Sequence, residues 1–248
     1  MIGLPPNARA CLFDLDDVLT NSGVLHAWAW SEVFDELLLR RASEAGTHFV
    51  PFDRSLDYRR YVAGRTRLEG IHVFLASRGI RIPEGRPGDP SDVDTAFALA
   101  ARKSSALTRD LHGRVVTAVA GARRYLQAVG HAGLTRTVVS ASANTALMLE
   151  LAGLESLVDD IVDAAVIERE RLRSRPAPDV VLAACARLGV QPVDAVVFTR
   201  EPPGIAAARA AGATAIAVTS ADPEMLAGYG PSRVVPSLGV LLDRRIAG

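Results

Sequence analysis

The chain has few cysteines and no net charge, and each shortage excludes a class of protein. Only two of its 248 residues are cysteines, Cys11 and Cys185, and both lie in apolar stretches. Because neither has the spacing of a zinc site or a disulfide framework, we expect reduced core residues in a cytoplasmic protein. Lysine plus arginine and aspartate plus glutamate number 28 each, so the formal net charge is zero. We therefore expect no nucleic-acid partner, and any phosphate ligand must be captured by local geometry.

Long apolar segments are also missing. No uncharged apolar run approaches the roughly 18 residues of a membrane-spanning helix. Residues 1–15 do not combine a basic region with a long apolar run, as a signal peptide would. The hydrophobic fraction of 49% is nevertheless sufficient for a large buried core. We expect a monomer without a membrane partner, built as one large domain or as a core with an inserted smaller domain.

Short apolar runs alternate with helical patterns in the second half of the chain, and one further apolar run lies near the N-terminus. Continuous apolar runs of this kind predict strands that are buried on both faces of a parallel sheet. The predicted strands are 10–15, 137–142, 195–198 and 213–218, and the helical patterns are 122–132, 143–152, 179–188 and 204–211. The alternation predicts the α/β class with a Rossmann-like, doubly wound parallel sheet.

Residues 26–110 have a different pattern. They contain several apolar helical stretches and no convincing buried strand. The intervening sequence IPEGRPGDPSD is too rich in proline and glycine to be helical throughout. We therefore predict a discontinuous α/β core, residues 1–25 and 111–248, with an all-helical cap domain, residues 26–110, inserted after the first strand.

Two aspartates end the first predicted strand. Asp14 lies at its carboxyl end and Asp16 follows two residues later. Ligands of open α/β sheets bind at the carboxyl ends of strands, where one carboxylate could attack phosphorus and the other could protonate the leaving group. The alternative, which this motif alone leaves open, is that both aspartates cap the turn after the strand.

A second polar segment follows the next predicted strand. The sequence Thr-Val-Val-Ser-Ala-Ser-Ala-Asn, residues 137–144, places Ser140 at a strand end, before a helical pattern. A hydroxyl group followed by backbone N–H groups suits phosphate oxygens. A helix N-cap is the alternative interpretation. Together with the aspartate motif, this segment resembles the haloacid dehalogenase superfamily, and the pattern from residue 10 to about residue 218 resembles its β-phosphoglucomutase branch.

The resemblance implies a fold, a ligand and a set of site residues. It implies that Asp14 forms an aspartyl-phosphate, that Asp16 is the acid/base, and that both aspartates help to hold Mg²⁺. A small phosphorylated sugar is the implied ligand. The implied phosphate- and sugar-binding positions are Ser140, Ala141, Ser142 and Asn144 in the core, and His26, Arg67 and Lys103 in or beside the cap. His26 is expected in the linker between core and cap. Taken singly, His26 could be structural, and Arg67 and Lys103 could be solvated surface charges.

The chain departs from the family pattern at its catalytic positions. Arg175 stands where a lysine usually precedes Pro-Ala-Pro-Asp, and Thr199 and Arg200 stand where an acidic pair usually binds the metal. Asp17 replaces the usual glycine after the second aspartate, and Ser104 replaces an asparagine that is common in the mutases. Arginine keeps the positive charge of lysine at position 175 but has a wide, planar head group.

The replacement at position 200 is a reversal of charge. A guanidinium about 5 Å from Mg²⁺ would be repelled by roughly 6–7 kcal/mol at an effective dielectric constant near 20. That is comparable to the about 4–8 kcal/mol of a millimolar-to-micromolar metal affinity. We therefore expect weak or absent Mg²⁺ binding, and we hypothesise that Arg200 occupies the cation position and pairs with Asp14 and Asp16.

Three functions remain open from the sequence. The first is a phosphotransferase or hydrolase of a sugar phosphate, of the phosphoglucomutase or phosphatase type, with Asp14, Asp16 and Arg175 as catalytic residues and impaired turnover. The second is a catalytically inactive relative that binds a phosphorylated ligand or a protein partner. The third is a metal-free chemistry that uses Asp14 as dehalogenases do, which the second aspartate and the phosphate-binding residues disfavour.

Overall fold

The computed structural model describes residues 2–111, 115–220 and 224–242, and the chain divides into two compact units. The α/β unit comprises Met1–Ser22 and Val116–Gly248, and the helical unit comprises Gly23–Val115. Each unit has a hydrophobic cluster of its own. These divisions lie a few residues from the predicted boundaries, and the role of the helical unit as a cap stays a prediction.

The α/β unit is built on a parallel sheet with the strand order β3-β2-β1-β4-β5-β6. The order reverses its direction between β1 and β4, which is the point where open α/β sheets bind ligands. The predicted doubly wound parallel sheet is therefore confirmed. The strands are β1 (Ala10–Asp14), β2 (Thr135–Val139), β3 (Asp160–Val162), β4 (Ala195–Thr199), β5 (Thr214–Val218) and β6 (Arg233–Val235).

All four predicted strands are confirmed with shifted ends. Compared with the prediction, β1 ends one residue earlier, β2 begins and ends earlier, β4 runs one residue further and β5 begins one residue later. Two strands were not predicted, β3 and β6, at the two edges of the sheet. Each has only three residues and begins with a charged side chain, so neither forms a recognisable apolar run.

Helices connect the strands of this unit. The α6 helix begins after Asp163, whose carboxylate accepts hydrogen bonds from the backbone N–H groups of Ala165 and Val166. The α7 helix ends at Leu188 and is followed by Gly189, which has a φ of 64°, a left-handed conformation that suits glycine. The helices are α4 (Ala122–His131), α5 (Thr145–Leu151), α6 (Ala164–Arg169), α7 (Asp179–Leu188), α8 (Pro202–Ala210) and α9 (Glu224–Ala227).

Three buried aromatic rings join the two central strands. Phe13 of β1 and Phe198 of β4 are partners in the sheet register, and their rings stack with centroids 4.6 Å apart. The ring of Tyr125 packs edge-on against both. This aromatic cluster fixes the register of β1 against β4, and so places the residues that follow Phe13 and Phe198 side by side.

The helical unit contains α1 (Ser22–Ala45, which begins one residue inside the α/β unit), a π-helical turn (Tyr58–Val62), α2 (Arg67–Ser77) and α3 (Ala96–Leu111). No strand occurs in the described part of this unit, residues 23–111 and 115. Its core contains a second aromatic group around Phe34, which contacts the rings of Trp30, Phe52 and Phe74.

Within the described ranges, no helix is both long enough and apolar enough to cross a bilayer.

Replacing Phe198 by alanine tests the role of the aromatic cluster. We expect Phe198→Ala to lower the free energy of unfolding by about 3–5 kcal/mol, because it removes a fully buried ring and leaves a cavity. The matched control is Leu182→Ala on the exposed face of α7, where the side chain is 42% exposed and we expect a change below about 1 kcal/mol. Urea unfolding followed by circular dichroism measures both, and equal losses would contradict the assignment.

Candidate active site at the carboxyl edge of the sheet

The sheet register brings three polar side chains together. Asp14 ends β1 and pairs with Val139, so that Ser140 follows directly on the neighbouring strand β2. On the other side, the pairing of Phe13 with Phe198 places Thr199 of β4 beside Asp14. All three polar side chains are buried. A carboxylate and two hydroxyl groups thus converge at the carboxyl edge of three adjacent strands.

The Asp14 carboxylate is held at both oxygens. Arg175 donates from Nη1 to Oδ2 over 2.8 Å and from Nη2 to Oδ1. Thr199 donates from Oγ1 to Oδ2 over 2.6 Å. The Asp14 and Arg175 side chains are each 11% exposed, so this ion pair lies largely out of solvent. A two-pronged pair of this type combines charge with fixed geometry.

Arg175 remains charged in this environment. Burial on its own would lower the pKa of the guanidinium, but the charge of Asp14, its hydrogen bonds and the charge of Asp16 together raise that pKa above its ordinary value. The predicted catalytic position of Arg175 therefore places a permanent positive charge against Asp14.

Gly204, near the start of α8, allows this close arrangement. A Cβ atom at position 204 would lie 2.0 Å from Oγ1 of Thr199 and 3.3 Å from Nη1 of Arg175. The first distance is far inside van der Waals contact, so a side chain here would displace the threonine. The backbone of α8 thus forms a tight wall against Thr199 and Arg175.

Arg200 does not contact Asp14 or Asp16, so the hypothesis that it pairs with them is wrong. Its Nη1 lies 3.2 Å from Oδ2 of Asp17, and its Nε lies 3.8 Å from Oε1 of Glu201. The physical reason is the alternation of side chains along a strand. Because β4 runs through Thr199 and this residue faces Asp14, the next side chain is directed elsewhere.

Asp17 supplies the partner of Arg200. It has a φ of 60°, the left-handed conformation in which the family's usual glycine is unstrained and aspartate is tolerated. Burial raises the pKa of Asp17 above its ordinary value, and the positive charge of Arg200 opposes that rise. The two departures from the family pattern at positions 17 and 200 are therefore in contact.

Asp16 belongs to a short chain of hydroxyl groups. Ser22 donates from Oγ to Oδ1 of Asp16, and the hydroxyl groups of Ser22 and Thr20 lie 2.5 Å apart. The sequence interpretation missed Thr20 and Ser22. The signal that could have identified them is the pair of hydroxyl residues that follows the acidic motif within six residues. The hydrogen bond from Ser22 fixes the orientation of the predicted acid/base.

The Ser140 segment forms a tight turn before α5. Ser140 Oγ accepts from the backbone N–H of Ser142, and Ser142 Oγ accepts from that of Asn144. Asn144 takes the N-cap position of α5 but makes no side-chain capping hydrogen bond. Both hydroxyl oxygens therefore act as acceptors within the turn. Ala141 and Ser142 are half-buried beside them.

The predicted residues of the helical unit form a basic group. Nζ of Lys103 lies 2.6 Å from Nδ1 of His26, and both side chains are buried. Burial, together with the charges of Lys103 and Arg67, holds the pKa of His26 well below its ordinary value, so the imidazole is neutral and accepts from the ammonium group. Nη1 of Arg67 donates to Oγ of Ser104 over 2.6 Å. His26 lies within α1 and not in a linker, which corrects the sequence-based placement.

The side chains that contact Asp14 do not form the set of oxygen ligands that Mg²⁺ requires. Mg²⁺ requires near-octahedral oxygen ligands at about 2.0–2.1 Å, usually including carboxylates. Here the Asp14 oxygens are engaged by a guanidinium and a hydroxyl group. Across residues 2–111, 115–220 and 224–242, no group of three histidine, cysteine or acidic side chains could hold a metal ion.

Comparisons with known proteins agree with this fold. The family model described as haloacid dehalogenase-like hydrolase matches residues 8–212. The chain is 43% identical to a protein of Mycobacterium bovis named "Beta-phosphoglucomutase", over 98% of this chain and 94% of that protein.

Two solved structures share the fold. A hydrolase of this family from Deinococcus radiodurans, with bound phosphate and sodium, is 28% identical with a TM-score of 0.62, over 96% of this chain and 94% of that one. A β-phosphoglucomutase from Clostridium difficile has a TM-score of 0.74 at 21% identity, over 94% of this chain and 93% of that one. With the family model matching most of its length, the chain belongs to the haloacid dehalogenase-like hydrolase family and is phosphatase- or phosphoglucomutase-like.

Proposed function

We propose that the protein binds a small phosphorylated sugar, with the phosphoryl group between Asp14 and Ser140, and that it turns this ligand over slowly. The convergence of these two side chains at the ends of adjacent parallel strands carries the proposal. The bound phosphate in the Deinococcus radiodurans relative supports a phosphate ligand here.

The chemistry available to this site is displacement at phosphorus. An oxygen of Asp14 would attack the phosphorus atom, the bond to the sugar oxygen would break, and Asp16 would protonate the leaving oxygen. Water would then displace Asp14 from phosphorus and release phosphate, with the Asp16 carboxylate accepting the proton of the water. Phosphoryl transfer depends on positioning and on electrostatic stabilisation of the phosphoryl oxygens. Arg175 could supply positive charge to those oxygens, but it also holds the attacking carboxylate at both oxygens. That engagement lowers the nucleophilicity of Asp14, which is why we propose slow turnover.

Arg67 of the helical unit is a further candidate for binding an anionic ligand. Its guanidinium is half-buried, and burial lowers its pKa. Among the described residues, this guanidinium makes one hydrogen bond, to Ser104, and no ion pair with a carboxylate. A planar, charged donor with unused N–H groups is suited to a second phosphate or to sugar hydroxyls.

The second candidate function is a metal-dependent phosphoglucomutase or phosphatase. The identity of 43% to a protein of that name, over nearly the whole of both chains, favours it, as do the retained Asp14 and Asp16. The two candidates differ in their response to Mg²⁺.

Hydrolysis of 4-nitrophenyl phosphate separates the two candidates. We expect a rate that is low and unchanged when Mg²⁺ replaces a chelator, because the Asp14 site offers the metal few ligands. Asp14→Asn is the control that identifies hydrolysis dependent on this site. A rate that rises a hundredfold or more with Mg²⁺, and that falls in Asp14→Asn, would favour the metal-dependent enzyme instead.

Phosphate binding is tested by removing the Ser140 hydroxyl group. We expect glucose 1-phosphate and inorganic phosphate to raise the thermal midpoint of the protein. Ser140→Ala should weaken both ligands by roughly ten- to a hundredfold, since a hydrogen bond to a charged group contributes about 1.5–3 kcal/mol. The control is Ser105→Ala on the exposed face of α3, whose hydroxyl group bonds only to the helix backbone. Absence of ligand stabilisation in the unmodified protein would refute the proposed function.

The role of Arg67 is tested with a phosphorylated sugar. Arg67→Ala should weaken glucose 1,6-bisphosphate about tenfold or more, because it removes a charged donor with unused N–H groups. Arg67→Lys should recover part of the loss, since it keeps the charge but not the fork. Arg59→Ala, which removes an exposed arginine of the same unit, is the matched control. Isothermal titration calorimetry measures the affinities, and equal affinities of Arg67→Ala and Arg59→Ala for the bisphosphate would contradict this role.

A further inference from the structure

We infer that Arg175 is the resident cation of the Asp14 site, and that its guanidinium excludes a divalent metal ion from it. Arg175 holds this position before any ligand binds, so exclusion of the metal does not depend on the proposed sugar phosphate. It can be tested without a phosphorylated ligand and without an activity measurement.

The geometry of the ion pair is the first support. The two terminal nitrogens of Arg175 bond to the two oxygens of Asp14. A metal ligated by this carboxylate at about 2.0–2.1 Å would have to share the same oxygens with a positively charged group. Both side chains are largely buried, so solvent screens little of the repulsion between the guanidinium and an incoming cation.

The neighbouring groups keep Arg175 in this position. Thr199 donates its hydroxyl hydrogen to Oδ2 of Asp14, so this oxygen carries two hydrogen bonds. Gly204 packs against Thr199 and Arg175 with no room for a side chain. Rotation of Arg175 out of the site would leave the buried charge of Asp14 with the threonine hydroxyl alone, and an uncompensated buried charge is strongly unfavourable.

The second arginine is neutralised elsewhere. Arg200 pairs with Asp17 and lies near Glu201, so it neither replaces Arg175 nor contributes a ligand. Loss of the acidic pair alone would leave Asp14 as a weak metal ligand. Arg175 has a further effect, because its guanidinium engages both oxygens of Asp14 and so prevents even weak metal binding there.

Titration of the unmodified protein with MgCl₂ is the primary test. We expect no stoichiometric heat up to about 5 mM Mg²⁺ in calorimetry, and no protein-bound signal in electron paramagnetic resonance with Mn²⁺. Stoichiometric binding with a Kd below about 1 mM, lost in Asp14→Asn, would overturn the inference.

Two variants separate the effect of Arg175 from the loss of acidic ligands. Thr199→Glu with Arg200→Asp restores the acidic pair and keeps Arg175, whereas the triple variant adds Arg175→Lys. We expect the triple variant to bind Mn²⁺ at least tenfold more tightly than the double variant. Equal affinities, whether both bind or neither does, would show that Arg175 is not the obstacle. Circular dichroism checks the folding of both variants, and if either is unfolded, the titration of the unmodified protein decides.

Discussion

A buried carboxylate at the end of a central strand needs a positive charge beside it. Asp14 has this position, and Arg175 provides the charge through two hydrogen bonds, while Thr199 provides a third. Removing one member of a buried ion pair generally costs about 3–5 kcal/mol, because the other charge is left without compensation. The two departures from the family pattern at positions 175 and 199 are therefore parts of one arrangement. An ammonium group could bridge one oxygen of Asp14, whereas a guanidinium spans both.

The same reasoning connects the other departures. Arg200 would add a second positive charge near this edge of the sheet, and Asp17 receives it at a backbone position that usually favours glycine. Aspartate accepts the left-handed conformation at a modest cost, which the ion pair offsets. Four substitutions that look like unrelated losses in the sequence thus form two ion-pair contacts in the structure, with Thr199 supporting the first.

The sequence pattern predicts the long central strands, but it does not predict short edge strands or the directions of side chains. Continuous apolar runs marked the four central strands, and the rule that ligands bind at the carboxyl ends of parallel strands led to Asp14, which the register places beside the strand that ends before Ser140. The edge strands β3 and β6 were missed because three residues with a charged first position give no periodic signal. Counting positions identified Arg200 as a charge reversal but could not give the direction of its side chain. The direction of that side chain depends on how far β4 continues. Because β4 includes Thr199, the side chain of Thr199 and not that of Arg200 contacts Asp14.

The helical unit shows how a protein without net charge could still attract an anion. Its predicted site residues are all basic, and two of them, Lys103 and Arg67, are close enough to His26 to lower its pKa. The imidazole responds by remaining neutral and accepting a hydrogen bond from Lys103, so the positive charge concentrates on the ammonium and guanidinium groups. Potentials of this kind act over short distances in salt, because screening removes them beyond roughly 8–10 Å. A ligand would therefore be selected at contact range by the placement of individual cations, and the balanced composition of the whole chain is no obstacle to binding a phosphorylated sugar.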